Sequence, residues 1–151
     1  MEQVEKSTLE KIFEADTARA IRTNSKSSLV LMHFSDLGRN TDLVETVLRS
    51  YEKSTDGFRL MENTYALTFS MHDESAYEIA KELRASLSVN LIGTHCHLKL
   101  SCLAFDPEKP ADKTEREFSD YFSETFDNLK KEGDITIVYL PQIPVLAEDC
   151  N

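Results

Sequence analysis

The sequence lacks the features that would assign it to a membrane, secreted or nucleic-acid-binding class. No apolar run approaches the roughly 20 residues needed to span a bilayer. Residues 1–6 are acidic and mixed, without the basic and then apolar segments of a secretory signal. The 17 Lys and Arg residues are scattered, with Lys130 and Lys131 the only adjacent pair, whereas nucleic-acid-binding proteins cluster them. We therefore expect a cytoplasmic protein that binds neither membrane nor nucleic acid.

Cysteine is also scarce, and its number is odd. The chain has Cys96, Cys102 and Cys150, which cannot all pair with one another. Without an export signal, nothing points to an oxidising compartment. We expect free thiols and not a disulfide framework.

What is present is typical of one globular domain with a strongly acidic balance. The chain has 151 residues, of which 40% are hydrophobic and 29% charged, values ordinary for a soluble domain with a real core. The formal net charge is −10. That charge favours solubility and repels anionic ligands unless a local site compensates for it.

The hydrophobic pattern alternates between strand and helix periodicity. Residues 29–32 are continuously apolar, which is typical of a central strand buried on both faces. Residues 65–71 alternate with period two, as a half-buried strand does. Asn63, in the tight turn with Glu62 before that strand, tolerates a positive φ. The pattern predicts helices over 7–22, 42–53, 74–87 and 115–132, and strands over 29–32, 58–61, 65–71, 97–105 and 135–140.

Two of the predicted helices carry capping residues at their starts. Asp73 is expected to cap the third helix, whose core face repeats at helical spacing. Thr114 with Glu117 forms a capping box for the fourth, which Gly133 ends. The core face of the third helix is Ala76, Ala80, Leu83 and Leu87.

The order of elements predicts the fold class. A helix is followed by β-α-β-β-α-β and then by a further helix and strand, so we predict an α+β fold. Its centre is a ferredoxin-like βαββαβ core with an added helix and strand, with helices on one or both faces of the sheet. We assign one domain to residues 7–140 and an extended C-terminal tail to residues 141–151, which begins with Pro141 and Pro144.

Several stretches resemble, in order and spacing, those of the GGDEF (diguanylate cyclase-like) domain, a relative of the nucleotide cyclases. Residues 9–13 resemble its opening helix, 78–84 its A-x-x-L-R helix and 100–104 its S-x-G-x-A strand. Residues 126–134 resemble its closing A-L-Y-x-A-K-x-x-G-R segment. The resemblance runs from about Leu9 to Leu140 and implies a GGDEF-like, nucleotide-cyclase-like fold.

The chain departs from this family where the family carries its chemistry. The family's Gly-Gly-Asp-Glu-Phe turn corresponds to Met61-Glu62-Asn63-Thr64-Tyr65, and the Asp-x-Asp that ends its first strand corresponds to His33-Phe34-Ser35. The glycines let backbone approach a phosphate, and the carboxylates hold the metal ions of phosphoryl transfer. The resemblance therefore implies a degenerate domain with no catalytic residues, no bound metal and no cofactor.

Three functional hypotheses follow. The first is a non-catalytic regulatory or protein-interaction domain in bacterial signalling, which acts through a protein partner or self-association. The second is a degenerate sensor that binds a purine nucleotide, GTP or cyclic di-GMP, without turnover. The third is an active cyclase with rearranged ligands. The sensor's candidate ligand-binding residues are Arg59, Asn63, Asn40 and Asp42.

The triplet His95-Cys96-His97 allows two interpretations. On a strand, His95 and His97 would share one face and begin a zinc site with Cys102 nearby. A structural zinc site needs four ligands in a tighter Cys/His grouping. We therefore favour ordinary strand residues.

Overall fold

The structure, a computed structural model, describes residues 1–51, 56–61, 63–109, 111, 116–131 and 135–141. Its helices are α1 (Lys6–Thr23), α2 (Thr41–Arg49), α3 (Ala76–Asn90) and α4 (Phe118–Asn128), and a short 3₁₀ helix (Gly38–Asn40) precedes α2. Its strands are β1 (Glu2–Gln3), β2 (Lys26–Ser35), β3 (Asp56–Arg59), β4 (Thr64–His72), β5 (His97–Phe105) and β6 (Thr136–Tyr139).

The strands form one six-stranded sheet in the order β1-β3-β4-β2-β5-β6. Antiparallel pairing joins β3 to β4, β4 to β2 and β2 to β5, while β1–β3 and β5–β6 are parallel. The four antiparallel strands with α2 and α3 are the predicted ferredoxin-like core, and α4 with β6 are the predicted added helix and strand. The sequence did not predict β1, because its two residues are exposed and too few to show a period.

Helices cover both faces of the sheet, and β2 lies between two hydrophobic cores. Val30 and Met32 face the core that includes α2 and α3. Leu29 and Leu31 face the core that includes α1 and α4. All four side chains have no exposed surface, as the continuous apolar run predicted. In the described part of the chain, no helix combines the length and apolarity that crossing a bilayer requires.

The core face of α3 is confirmed, but its predicted cap is wrong. All four residues of that face are buried. Ser75 is the cap, since its Oγ accepts a hydrogen bond from the Glu78 amide at 3.3 Å. Strand β4 continues as far as His72, so Asp73 falls in the link to the helix. The Ser75-x-x-Glu78 spacing is itself a capping signature.

The hairpin between β3 and β4 confirms the turn residue and corrects the turn length. Asn63 has φ = 59°, the left-handed conformation that Asn tolerates. The strands are joined by residues 60–63, longer than the two-residue turn predicted. The Leu60 amide donates to the Thr64 carbonyl oxygen at 2.8 Å and closes the turn. Glu62 lies outside the described residues.

Two helix boundaries also differ from the prediction. Helix α2 ends at Arg49 and not near residue 53. Helix α4 begins at Phe118, where Glu117 and Asp120 form a reciprocal capping box. The Asp120 carboxylate accepts from the Glu117 amide at 3.3 Å, so Glu117 is the cap itself and not the third residue of the box. Lys53, Thr114, Gly133 and the tail from residue 142 lie outside the described residues.

The described cysteines are free thiols, as expected. Cys96 is half-buried and Cys102 is fully buried in the core that includes α2 and α3. Burial raises the pKa of the Cys102 thiol to about 12, so it remains a protonated, unreactive core residue. Cys150 lies outside the described residues.

Candidate functional site

A row of polar side chains crosses three neighbouring strands where β2 ends and β4 begins. His33 of β2 lies directly opposite Thr64 of β4 on one side and opposite Lys99 of β5 on the other. Directly opposite residues point to the same face of a sheet, and adjacent strands are about 4.8 Å apart. All three therefore lie on one face, which they share with Leu29 and Leu31, the face that α1 and α4 cover.

The centre of the row is a hydrogen-bonded pair of side chains. Nδ1 of His33 lies 3.1 Å from Oγ1 of Thr64. Thr64 is buried and His33 is half-buried. These are the two positions where the family resemblance implies metal-binding carboxylates. The fold thus brings the end of the first core strand and the hairpin together, and an imidazole and a hydroxyl meet there.

A cavity of about 510 Å³ lies over this row, between the start of α1 and the end of α4. Phe126 and Leu129 of the α4 end form its apolar wall. Nζ of Lys6, the first residue of α1, lies 4.4 Å from the centroid of the Phe126 ring, a cation–π contact. We call this space the lysine-lined cavity; its charged and hydrogen-bonding residues include Lys6, Lys99, Lys130, His33, Thr64 and Asp127.

These residues do not fit a magnesium or manganese ion. Hard divalent cations take carboxylate, carbonyl and water oxygens, and Asp127 is the only carboxylate among the described lining residues. Three ammonium groups share the lining and repel a cation. Across the described ranges, no group of three or more His, Cys, Asp and Glu side chains is placed to hold a metal ion.

The lack of a metal-binding group among the described residues also bears on the triplet His95-Cys96-His97. Only His97 belongs to β5, and its amide hydrogen-bonds to Oγ of Ser35 at 3.3 Å. His95 and Cys96 precede the strand, so the expectation that all three share a strand is wrong. His95 and His97 are exposed, and the structure gives the triplet no role as a metal centre among the described residues.

The four residues predicted from sequence to bind a nucleotide lie in three separate parts of the fold. Asn40 and Asp42 lie together at the start of α2, and Asn63 lies in the hairpin turn. Arg59 is opposite Tyr65, whose ring faces the core with α2 and α3. Arg59 is therefore across the sheet from His33, and none of the four lines the lysine-lined cavity.

Sequence reasoning missed Lys6 and Lys99 as site residues. They are 93 residues apart in a chain of 151, and each is an ordinary surface-type residue in its local sequence. The strand register places Lys99 beside His33, and the position of α1 over the sheet brings Lys6 to the same cavity. Register across a sheet depends on long-range pairing that local periodicity does not reveal.

A second cavity, of about 480 Å³, lies on the opposite face beside His72 and Phe69. Neither buried ring nitrogen of His72 forms a hydrogen bond of good geometry with another described residue. Loss of hydration lowers the pKa of His72 and the charge of Lys26 adds to the shift, while the nearby Glu74 backbone and the carboxylates of Asp73 and Asp106 oppose it. At neutral pH this ring is therefore an uncharged imidazole in edge-on contact with Phe69. Its unsatisfied nitrogens reduce the stability of the fold.

His72 is expected to weaken the fold in mild acid. Because its folded pKa lies below the unfolded value near 6.5, the unfolded chain binds more protons, and stability falls as pH drops below about 6.5. His72→Phe should therefore unfold at a higher temperature at pH 7.5 and show a smaller loss of Tm between pH 7.5 and 5.0. Thermal unfolding followed by circular dichroism measures both. The exposed His95→Phe is the matched control; an equal change in its pH dependence would contradict the assignment.

Comparisons with known proteins find similarity in structure and not in sequence. No protein-family model matches the chain, and no curated protein matches it. The GGDEF domain of YfiN (TpbB) from Pseudomonas aeruginosa aligns with a TM-score of 0.64 at 10% identity, over 91% of this chain and 98% of that one.

Two further solved structures give the same result. The GGDEF domain of DgcB from Caulobacter crescentus, in complex with c-di-GMP, aligns with a TM-score of 0.61 at 12% identity, over 89% of this chain and 88% of that one. The active GGEEF domain of a diguanylate cyclase from Vibrio cholerae aligns with a TM-score of 0.58 at 15% identity, over 91% and 97%. The chain has the α+β fold of GGDEF, diguanylate cyclase-like domains.

Proposed function

We propose that this chain is a degenerate, non-catalytic GGDEF-type domain that serves a regulatory or protein-interaction role in bacterial signalling. The observation that best supports this proposal is the His33–Thr64 pair, in which Nδ1 and Oγ1 are 3.1 Å apart. These two residues stand where the enzymes of this fold need carboxylates. The role is cytoplasmic and is exercised through a protein partner or self-association.

The electrostatics of the site support the absence of turnover. Phosphoryl transfer in this family needs metal ions that bridge the phosphate oxygens and the protein. An imidazole and a threonine hydroxyl are poor ligands for magnesium, and the flanking Lys6, Lys99 and Lys130 raise the electrostatic cost of seating a cation. Exposed Met61 at the hairpin tip replaces a glycine of the family turn and adds a side chain where backbone would approach a phosphate.

The test is direct incubation of the chain with GTP and Mg²⁺ or Mn²⁺. We expect no cyclic di-GMP and no pyrophosphate above a protein-free blank, at protein concentrations high enough to populate a dimer. Products are separated by ion-pair chromatography, and an active diguanylate cyclase run in parallel shows that the assay works. Formation of cyclic di-GMP by this chain would refute the proposal.

The second candidate is a sensor that binds a purine nucleotide without turnover. The lysine-lined cavity favours it, because three lysines beside an aromatic ring supply the charge and the apolar surface that a nucleotide requires. The sequence predicted four other residues for this role, namely Arg59, Asn63, Asn40 and Asp42. None of them lines this cavity, and their part in nucleotide binding stays a prediction.

A further inference from the structure

The second cavity, which lies beside His72 and Phe69, has charged side chains of one sign only in its described lining. Its volume is about 480 Å³, and the described residues that line it include Asp73, Glu74 and Glu82 but no Lys or Arg. All three acidic residues are exposed, and the ion pairs between described residues include none of them. We call this space the acidic cavity. Its uncompensated negative charge attracts cations and repels anions.

The ammonium of Lys26, which lies beside the acidic cavity, is engaged elsewhere. Its Nζ donates a hydrogen bond to the backbone oxygen of Asp73 at 3.2 Å and lies 3.7 Å from the carboxylate of Glu108. Neither contact neutralises a carboxylate of the cavity lining, so these carboxylates remain available to a ligand.

Rings and an aliphatic side chain form the apolar part of the acidic cavity. Tyr51, which follows α2, lies in the lining with Phe69 of β4 and Ile79 of α3. The rings of Phe69 and His72 meet edge-on, with centroids 6.0 Å apart. Aromatic rings attract organic cations, and arginine most often. The lining therefore suits a cation that is carried on an apolar stem.

His72 adds a hydrogen-bond acceptor that no described residue uses with good geometry. An uncharged imidazole has one ring nitrogen that accepts, whereas a guanidinium group has five N–H donors and no acceptor. A guanidinium in the cavity can therefore donate to this nitrogen and to the carboxylates together. Because an unsatisfied buried acceptor costs stability, a ligand that supplies the missing donor recovers that cost.

The arrangement of the carboxylates does not fit a metal ion. Among the described residues, no group of three or more His, Cys, Asp and Glu side chains is placed to hold one, although His72 and three carboxylates line the same space. Acidic groups that surround a cavity without converging on one point suit an extended organic cation instead.

The acidic surface continues beyond the cavity along α3. Glu78 is exposed and lies four residues before Glu82 on this helix, and residues four apart share a helix face. A chain with several basic residues would contact more of this surface than a single small cation would. The surface therefore favours a segment of a protein over a free small molecule.

We infer that the acidic cavity binds an arginine side chain from a basic segment of a partner protein. The carboxylates of Asp73, Glu74 and Glu82 and the acceptor nitrogen of His72 hold its guanidinium group. Arginine fits better than lysine because its planar guanidinium stacks on aromatic rings and bonds to carboxylates through two parallel hydrogen bonds. This inference deepens the proposed function by naming the chemistry of the partner, and it rests on the proposal that the chain acts through a protein partner.

The first probe is N-acetyl-arginine amide, titrated into the full chain and followed by the backbone amide resonances. We expect saturable shifts at Phe69, Asp73 and Glu82, and none at His33 and Lys99, whose side chains lie on the other face of the sheet. N-acetyl-citrulline amide has a similar shape without the charge and should produce no shifts. A blocked peptide with three arginines should bind roughly tenfold more tightly than the single amide, because its other arginines reach the acidic surface outside the cavity.

Substitutions of single carboxylates test which residues hold the peptide. Asp73→Asn and Glu82→Gln should each weaken its binding about two- to fivefold, the effect of losing an exposed ion pair. The matched control is Asp127→Asn, which removes an exposed carboxylate from α4 on the other side of the sheet and should bind the peptide as the parent chain does. An equal loss in Asp127→Asn would mean that net charge and not the cavity attracts the peptide, and would overturn the inference.

Three other results would also overturn it, namely no binding, shifts with the citrulline amide, or equal affinity for the single amide and the peptide. Turnover of GTP is measured separately. An active enzyme would refute the non-catalytic role and leave arginine binding to be decided by these titrations, whereas failure of the titrations would leave the non-catalytic role intact.

Discussion

Phe122→Ala is expected to lower the free energy of unfolding by about 3–5 kcal/mol, the usual cost of deleting a buried aromatic ring. Phe122 is 1% exposed and lies between Phe118 and Phe126 along α4, with ring centroids at 6.5 and 5.1 Å. Its core joins α1 and α4 to the sheet. A loss of this size is a large share of the roughly 5–15 kcal/mol that stabilises a typical domain.

Urea denaturation measures this change, and Tyr77→Ala is its control. Tyr77 is half-exposed on α3, so its truncation should cost no more than about 0.5 kcal/mol. Phe122→Leu keeps most of the buried volume and should fall between the two. If Phe122→Ala were as mild as Tyr77→Ala, the packing of α4 described above would be wrong.

The sequence predicted correctly those elements in which the spacing of apolar residues directly shows which side chains are buried. The continuous apolar run of β2 required cores on both faces, and the helical spacing of Ala76, Ala80, Leu83 and Leu87 required one buried stripe. Both follow from the hydrophobic effect acting on local pattern. Asn63 was predictable for a different reason, since few residues accept a positive φ.

The boundaries that failed did so where two local signals compete. Asp73 and Ser75 are both good caps, and the choice between them depends on how far β4 extends, which its pairing with β2 determines. Glu117 was assigned to the third position of a capping box, yet it caps the helix itself. At α3 the pairing of the preceding strand decides where the helix can begin, whereas at α4 two local capping boxes compete and the one between Glu117 and Asp120 forms.

The candidate site shows a deeper limit of sequence reasoning. The scattered basic residues argued against nucleic-acid binding and gave no sign of where positive charge would gather, but residues that are scattered along a chain can meet in space. Lys6, Lys99 and Lys130 come from the start of α1, from β5 and from the end of α4, and the fold brings all three to one cavity. The resemblance predicts that His33 and Thr64 stand where the family has carboxylates, whereas nothing in the sequence predicted the basic lining beside them.

Replacing the His33–Thr64 pair by two acids, His33→Asp with Thr64→Glu, is expected to make the stability of the fold depend on a metal ion. Without metal, the double variant should lose about 2–4 kcal/mol, because two carboxylates face each other across β2 and β4 and the Thr64 position is buried. Lys99, opposite residue 33, offsets only part of this cost. Mn²⁺ should then restore stability, by about 2.7 kcal/mol at 100 times its dissociation constant.

The parent chain and the two single variants are the controls for this expectation. The parent should show no change in Tm with Mn²⁺, since its pair offers a nitrogen and a hydroxyl amid three lysines, and each single variant should show only a small rise. Stabilisation of the parent by Mn²⁺ would contradict the absence of a metal site. A double variant that is destabilised but unresponsive to Mn²⁺ would mean that the two positions, although opposite in register, do not aim their side chains at one point. The response of the double variant therefore tests whether these two positions have the geometry of a metal centre when carboxylates occupy them.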